Sequence, residues 1–221
     1  MEKQGKAVTV SRQMGSGGTY VGYHVAKTLG FLYVDREILR RAADLLKRDE
    51  RSLEEYEGRS GGFIQNLMRT FALGTPEAAY IPRERPVYER DLFLLESRII
   101  HEIVEKHDAV IMGRGAFHVL KGRPGTVHLF VHAPLDYRTE RVSKADNTPL
   151  REAQARVKES DRRRNTFIRE MVGTDWTDAR NYCLSIDSSI VGLSETTRMV
   201  VAFVQKAITW DPPGTASAVS T

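Results

Sequence analysis

VTVSRQMGSGGTYVG, residues 8–22, joins a short β-branched run (Val8, Thr9, Val10) to a turn dense in glycine and then to an amphipathic helical pattern. Strand, glycine turn and helix in that order aim free backbone N–H groups and the positive end of a helix dipole at one point. Phosphate suits such a point. The common phosphate-loop string GxxxxGK[ST] adds a lysine that reaches the β- and γ-phosphates. Aligned on Gly15 and Gly17, this chain carries Arg12 in place of the first glycine and Gly18 in place of the lysine. The backbone cradle, formed by Gly15, Ser16, Gly17, Gly18 and Thr19, is therefore expected without its usual cation.

Around this loop, residues 7–10 and 31–34 read as strands and residues 19–29 as the helix between them. Gly30 suits the helix C-cap, where a left-handed residue costs least. Asp35 closes the second strand and opens a helix over 36–47, with Ile38, Leu39, Ala42, Ala43, Leu45 and Leu46 on its apolar side. So short a βαβ unit implies parallel strands and a right-handed crossover. From residue 49 to about 86 charged residues, a GRSGG segment and several prolines interrupt short apolar patterns, which reads as a helical insertion over 49–90.

Residues 92–104 return to helical spacing through Leu95, Ile99, Ile100 and Ile103. A buried strand over 109–112 ends at Gly113-Arg114-Gly115, and a further strand over 127–131 leads to a charged helix from about residue 136. A polar helix over 150–172 carries Asp161-Arg162-Arg163-Arg164. Residues 182–186 read as the last strand and 193–208 as the last helix. The Pro-, Gly-, Ser- and Thr-rich tail over 211–221 is expected to be disordered. Alternating strands and helices predict one α/β domain over residues 1–210, a mostly parallel sheet covered on both faces.

Composition narrows the classes. The 221 residues are 41% hydrophobic and 28% charged, ordinary for a soluble globular protein. No apolar run approaches the roughly 20 residues needed to cross a bilayer, so no membrane partner is expected. MEKQGKAVTV lacks the continuous apolar core of a signal peptide, and a single cysteine, Cys183, rules out an internal disulfide framework. A cytoplasmic location is the expectation. The net charge of +4 mildly favours anionic ligands, with 33 basic residues interspersed among 29 acidic ones. No basic arm, zinc finger or aromatic RNA-binding strand accompanies them, so small anions are expected rather than nucleic acid.

In an open α/β sheet, ligands bind outside the carboxyl ends of the strands. Four polar signals fall there: the glycine loop, Asp35, Gly113-Arg114, and the segment from Ala133 to Asp136. Each has a bland alternative as a simple turn. A dinucleotide fingerprint is a further alternative, because Asp35 lies about twenty residues beyond Gly15. GxGxxG set on Gly15 and Gly17 would need glycine at Tyr20, however. The YxxxK string at Tyr23 and Lys27 falls within the first helix, where it cannot serve a dehydrogenase. His128 and His132 share one strand face without a third metal ligand, Cys183 is expected in the core, and Trp176 is expected to anchor the far end of the polar helix.

Taken together these segments resemble the nucleoside monophosphate kinases of the P-loop class, most closely the cytidylate kinase-like family. VTVSRQMGSGG resembles that family's ISREYGSGG-type opening, in which glycine is also common at the lysine position. LGFLYVDREILRRAA resembles the segment with an aspartate ending the second strand and a tyrosine-arginine pair six residues later, of which Arg41 keeps the arginine. IMGRGAF resembles the DGRD segment, keeping Gly113 and Arg114 but not its aspartates. HLFVHAPLDYRTERV resembles the following strand and its xERxxR helix, and YCLSIDSSIVGLSETT the last strand, its DST turn and the last helix.

The resemblance implies a three-layer P-loop domain with a helical acceptor-binding insertion and a helical lid over 150–175. It implies transfer of the γ-phosphoryl of ATP, with Mg2+, to a pyrimidine nucleoside monophosphate. Arg41 and Arg114 are then the candidates for gripping the acceptor phosphate, Asp35 and Gly113 complete that pocket, and Asp161, Arg163 and Arg164 belong to the lid. The D-x-x-R spacing fits Asp161 with Arg164, a one-step shift selects Arg163, and Arg162 is the expected bystander. Losing the lysine contact in a dry site implies a rate loss on the order of 10²–10³ by analogy with removed oxyanion donors. Arg12 folded over the loop would offset it. Thr19 offers a hydroxyl to Mg2+, with Asp35 or water as further ligands. The alternative function is a nucleotide-binding regulator with the same fold and little or no catalysis. Oligomeric state is left open.

Overall fold

Among the described residues, five short apolar runs build one sheet. The computed structural model describes residues 5–40 and 89–209. The strands are β1 (Ala7–Arg12), β2 (Leu32–Val34), β3 (Ala109–Met112), β4 (Thr126–His132) and β5 (Leu184–Asp187). Their order is β2-β3-β1-β4-β5, every pair parallel, with Val8 opposite both Val110 and Val127. The helices are α1 (Gly18–Leu29), α2 (Glu89–Lys106), α3 (Ala116–Val119), α4 (Leu135–Asp146), α5 (Leu150–Val172) and α6 (Ser188–Ala207). Residues 36–40 are also helical.

Strand parity creates two cores, as a sheet buried on both faces requires. Ala7, Ala109 and Ile111 point to one face and pack with Val34, Leu39 and the α2 residues Ile99, Ile100 and Ile103. Val8, Val10, Val110 and Met112 point to the other, against Val21 and Val25 of α1 and Val200 and Val204 of α6. Each aliphatic side chain fully buried this way contributes about 1.5–3 kcal/mol. The result is the three-layer α/β architecture expected from the sequence, with all described strands parallel.

Several boundaries differ from the sequence reading, and two differences matter. Strand β1 continues to Arg12, whose Cα pairs with that of Val131, so the loop's arginine stands on a rigid strand. Strand β5 begins at Leu184, leaving Cys183 outside it with an exposed thiol. The expectation of a core cysteine fails because β5 is an edge strand whose approach faces solvent; Cys183 N–H still donates to His128 O at 2.7 Å. Helix α6 starts at Ser188 and kinks at Gly192 (φ 76°, ψ 168°), so the expected start at 193 marks its second segment. The four residues of α3 are too few to show a helical period. Of the expected insertion, residues 89–90 belong to α2 and 49–88 lie outside the described residues.

Candidate functional site

Parallel strands bring their carboxyl ends to one edge, and the loop after β1 is gripped there from several sides. Ser16 Oγ lies 2.9 Å from Gln13 O and 3.1 Å from Val131 O, and Ser188 Oγ donates to Ser16 O at 2.6 Å. From α4, Arg138 Nη1 donates to Met14 O at 3.2 Å and Arg141 Nε to Gly15 O at 3.0 Å. Gly15 (φ 81°) and Gly17 (φ 77°) take left-handed turns that turn successive peptides the same way. The loop's carbonyls are thus satisfied, while the N–H groups of Gly15, Gly17, Thr19 and Tyr20 meet no acceptor among the described residues. Helix α1 has Gly17 at its N-cap, no capping side chain and no acid in its first turn. Its positive end is left open to an anion.

Arg12 fills the place beside this cradle. A Cβ built on Gly18 would come within 3.0 Å of Arg12 Cγ, closer still to Arg12 Cβ, and within 3.2 Å of Val131 Cβ. At the far end of the side chain, Nη1 lies against Gly113, where it is the first atom a Cβ would meet. Arg12 therefore runs from the lysine position of the loop to the end of β3. Its guanidinium makes no hydrogen bond or ion pair among the described residues. Burial lowers its pKa, while Tyr33 and Asp35 oppose that shift and Arg36 adds to it. Tyr33 Oη is buried without a partner among the described residues, and its pKa is pushed up to about 12, mainly by burial.

The arginine run on α5 resolves by helix geometry. Asp161 accepts from Arg138 Nη1 at 2.6 Å, from Arg164 Nη1 at 3.3 Å and from Met14 N at 3.3 Å, tying the polar helix to the loop. Arg164, one turn on, is 31% exposed and faces inward with Asp161. Burial is the main cause lowering its pKa to about 10, with Arg12 the next. Arg162 and Arg163 point to solvent, both bound to Glu159 at 2.8 Å, and the Arg163 side chain is 76% exposed. The structure brings Asp161 and Arg164 to the loop and leaves Arg163 out. Trp176, 4% exposed, packs with Phe117, Phe130 and Ile168 and sits 5.8 Å from the Arg164 guanidinium.

At the ends of β2 and β3 the remaining candidates meet. Asp35 Oδ1 caps the following helix, accepting from Glu37 N and Ile38 N at 3.0 Å. Arg114, at φ 55° between left-handed Gly113 and Gly115, donates through Nε to Glu96 Oε2 at 2.6 Å and lies 4.3 Å over the Phe167 ring. Burial raises the Glu96 pKa, opposed by Arg114 and by the charges of Arg36 and Arg40. Arg41 lies outside the described residues.

Sequence reasoning missed Arg36, Arg138, Arg141 and Glu96. Glu96 left a trace, a carboxylate three and four residues before Ile99 and Ile100 on an apolar helix face. Arg141 stood in the Glu140-Arg141 pair of the xERxxR pattern, and Arg138 left only its place just after a strand end.

No group of three or more His, Cys, Asp or Glu residues able to hold a metal occurs among the described residues. His128 instead pairs through Nδ1 with Thr9 Oγ1 at 2.8 Å, and burial lowers its pKa to about 4. His132 stacks on Phe130. No helix among the described residues is long and apolar enough to cross a membrane.

The chain is similar to known proteins over most of its length. The cytidylate kinase of Methanopyrus kandleri is 26% identical over 175 residues, covering 74% of this chain and 89% of that protein. The cytidylate kinase of Desulfurococcus amylolyticus is 27% identical over 203 residues, covering 91% and 94%. The fold resembles that of an uncharacterized protein from Eubacterium ventriosum, with a TM-score of 0.66 and 19% identity over 91% of this chain and 99% of that one. The pattern of the cytidylate kinase-like family matches residues 7–190, and the chain belongs to that family.

Proposed function

We propose that the protein is a nucleoside monophosphate kinase that moves the γ-phosphoryl of ATP to the phosphate of a pyrimidine nucleoside monophosphate. The carrying observation is Arg12: a guanidinium that makes no hydrogen bond or ion pair among the described residues, set between Gly113 and loop N–H groups that meet no acceptor there. A cation held there, with Arg164 beside it, supports binding of a polyanion at the junction of loop, β3 and α5.

Phosphoryl transfer asks little covalent chemistry of a protein. It asks for two anionic substrates in line, exclusion of water and neutralisation of the moving charge. In this reading Gly15, Ser16, Gly17, Gly18 and Thr19 hold the donor's phosphates through backbone N–H groups, and Arg12 takes the lysine's part. Arg164 stabilises the transferring group, and Asp161 orients Arg164 while tying α5 over the loop. Arg114, with Gly113 and Asp35 nearby, serves the acceptor phosphate, and Arg41 is proposed with them. Arg163 stays with the lid surface, where its contact is Glu159.

Mg2+ fits as an ion held mostly by phosphate oxygens and water, because Thr19 is exposed on the first turn of α1 and Asp35 keeps Oδ2 outside its cap. When bound, it would neutralise charge on the donor's β- and γ-phosphates.

One specific observation favours a second reading. Without a lysine at residue 18, the fold could serve a nucleotide-binding regulator of low activity. Purified protein with Mg-ATP and a panel of nucleoside monophosphates, followed for diphosphate formation beside calorimetric binding, separates the two. Turnover with CMP or dCMP supports the kinase, and ATP binding without turnover for any acceptor supports the regulator. Tight dinucleotide binding without ATP binding would overturn both.

A further inference from the structure

Arg114 is held from three directions. Its backbone is fixed at φ 55° between two left-handed glycines. Its guanidinium plane lies 4.3 Å over Phe167, on the same helix as Asp161 and Arg164. Its Nε is bound at 2.6 Å by Glu96, whose side chain is 1% exposed.

A carboxylate can grip an arginine through two parallel bonds to both ends of its fork. Here only Nε is engaged, and Glu96 Oε1 has no partner among the described residues. Neither Nη1 nor Nη2 of Arg114 has an acceptor there. The fork is therefore fixed by its root and presents both terminal amino groups. That geometry suits two oxygens of one phosphate.

We infer that Glu96 is a positioning residue for the acceptor phosphate: by holding Nε it aims the Nη1 and Nη2 pair of Arg114 as a rigid two-pronged anion grip. The inference rests on the kinase reading and names the residue that sets acceptor binding within it. An unheld arginine would have to give up side-chain freedom on each binding event, a cost that pre-organisation removes. A simple counter-ion would act in the opposite sense. It would lower the local positive charge, so removing it would tighten the acceptor.

The test is steady-state phosphoryl transfer by the full chain with CMP and ATP varied in turn, for wild type, Glu96→Ala, Glu96→Gln, Arg114→Lys and Glu96→Gln/Arg114→Lys. Glu96→Ala is expected to raise the acceptor KM about tenfold, the size of a direct pairwise coupling, with the ATP KM unchanged. Glu96→Gln, whose amide oxygen still accepts from Nε, should recover most of that loss. In the Arg114→Lys background, which has no Nε fork, Glu96→Gln should change the acceptor KM by less than about twofold.

If Glu96→Ala does not fold, Glu96→Gln and the Arg114→Lys cycle carry the test, with a small rise in acceptor KM that vanishes in the lysine background. An acceptor KM that falls or stays level in Glu96→Ala, or a Glu96→Gln effect as large in the Arg114→Lys background as in wild type, overturns the inference while leaving the kinase reading intact. Wild type that turns over no nucleoside monophosphate overturns both.

Discussion

Gly18→Lys puts the lysine of GxxxxGK[ST] back between Gly17 and Thr19, with Arg12 still in place of the first glycine, yet it is expected to weaken the protein. A Cβ at residue 18 would lie within 3.0 Å of Arg12 Cγ and 3.2 Å of Val131 Cβ, and nearer still to Arg12 Cβ. Those atoms sit at the roots of side chains on two paired strands, Arg12 opposite Val131, so they give way only if the sheet moves. Overpacking of this kind costs about 1–3 kcal/mol. Against it stands a helix-propensity gain of up to about 1 kcal/mol for replacing glycine inside a helix. The net is a loss of about 1 kcal/mol, or roughly 3 °C in Tm for a chain of this size. Guanidinium unfolding of wild type, Gly18→Ala, Gly18→Lys, Arg12→Ala and Arg12→Ala/Gly18→Lys measures it. Because Arg12→Ala removes Cγ and the guanidinium while keeping Cβ, the double variant should regain part of the loss, about 0.5–1 kcal/mol of coupling. A Gly18→Lys variant as stable as wild type and faster with ATP would refute the claim that Arg12 excludes a side chain there.

Three further outcomes follow from the same geometry. Arg164→Ala should lower kcat/KM by about 10²-fold, as removal of a charge-stabilising donor in a dry site does, whereas Arg163→Ala should stay within about twofold because its contact is a surface pair; kinetics of the two variants side by side decides it. Asp161→Asn leaves Arg138, whose side chain is 7% exposed, without its carboxylate, and should cost about 2–3 kcal/mol in denaturant unfolding, somewhat below a complete break of a buried pair. His128 holds a pKa of about 4 in the fold, lowered by burial. The unfolded ring takes a proton near pH 6.5 and the folded ring does not. The folded state therefore loses stability as pH falls from about 6.5 to 4, by at most ~3 kcal/mol and less for the solvent that reaches the half-buried ring. Unfolding free energies of wild type and His128→Gln across that range should converge at low pH relative to their difference at pH 7.

The loop at residues 8–22, the alternation of strands with helices and the apolar parity of β1 and β3 were all legible in the sequence. Such signals are local: a glycine turn needs few neighbours, and period-two alternation reports its own burial. Trp176 and Asp161 were legible for the same reason, one as a large apolar group and the other through helical spacing. Choosing among Arg162, Arg163 and Arg164 required knowing which side of α5 meets the loop, and that depends on Met14 and Arg138, distant in sequence. Cys183 misled because an apolar neighbourhood does not say that a strand lies at a sheet edge.

The sequence by itself determined that a glycine-rich turn follows the first strand and that the lysine of GxxxxGK[ST] is absent from it. Tertiary structure decided what the absence means. Gly18 is small because Arg12 crosses it on the way to Gly113, a contact between one strand end and another that no spacing encodes. Backbone conformation is set by residues a few positions apart. The filling of space beside a loop is set by whichever side chains the sheet order brings there.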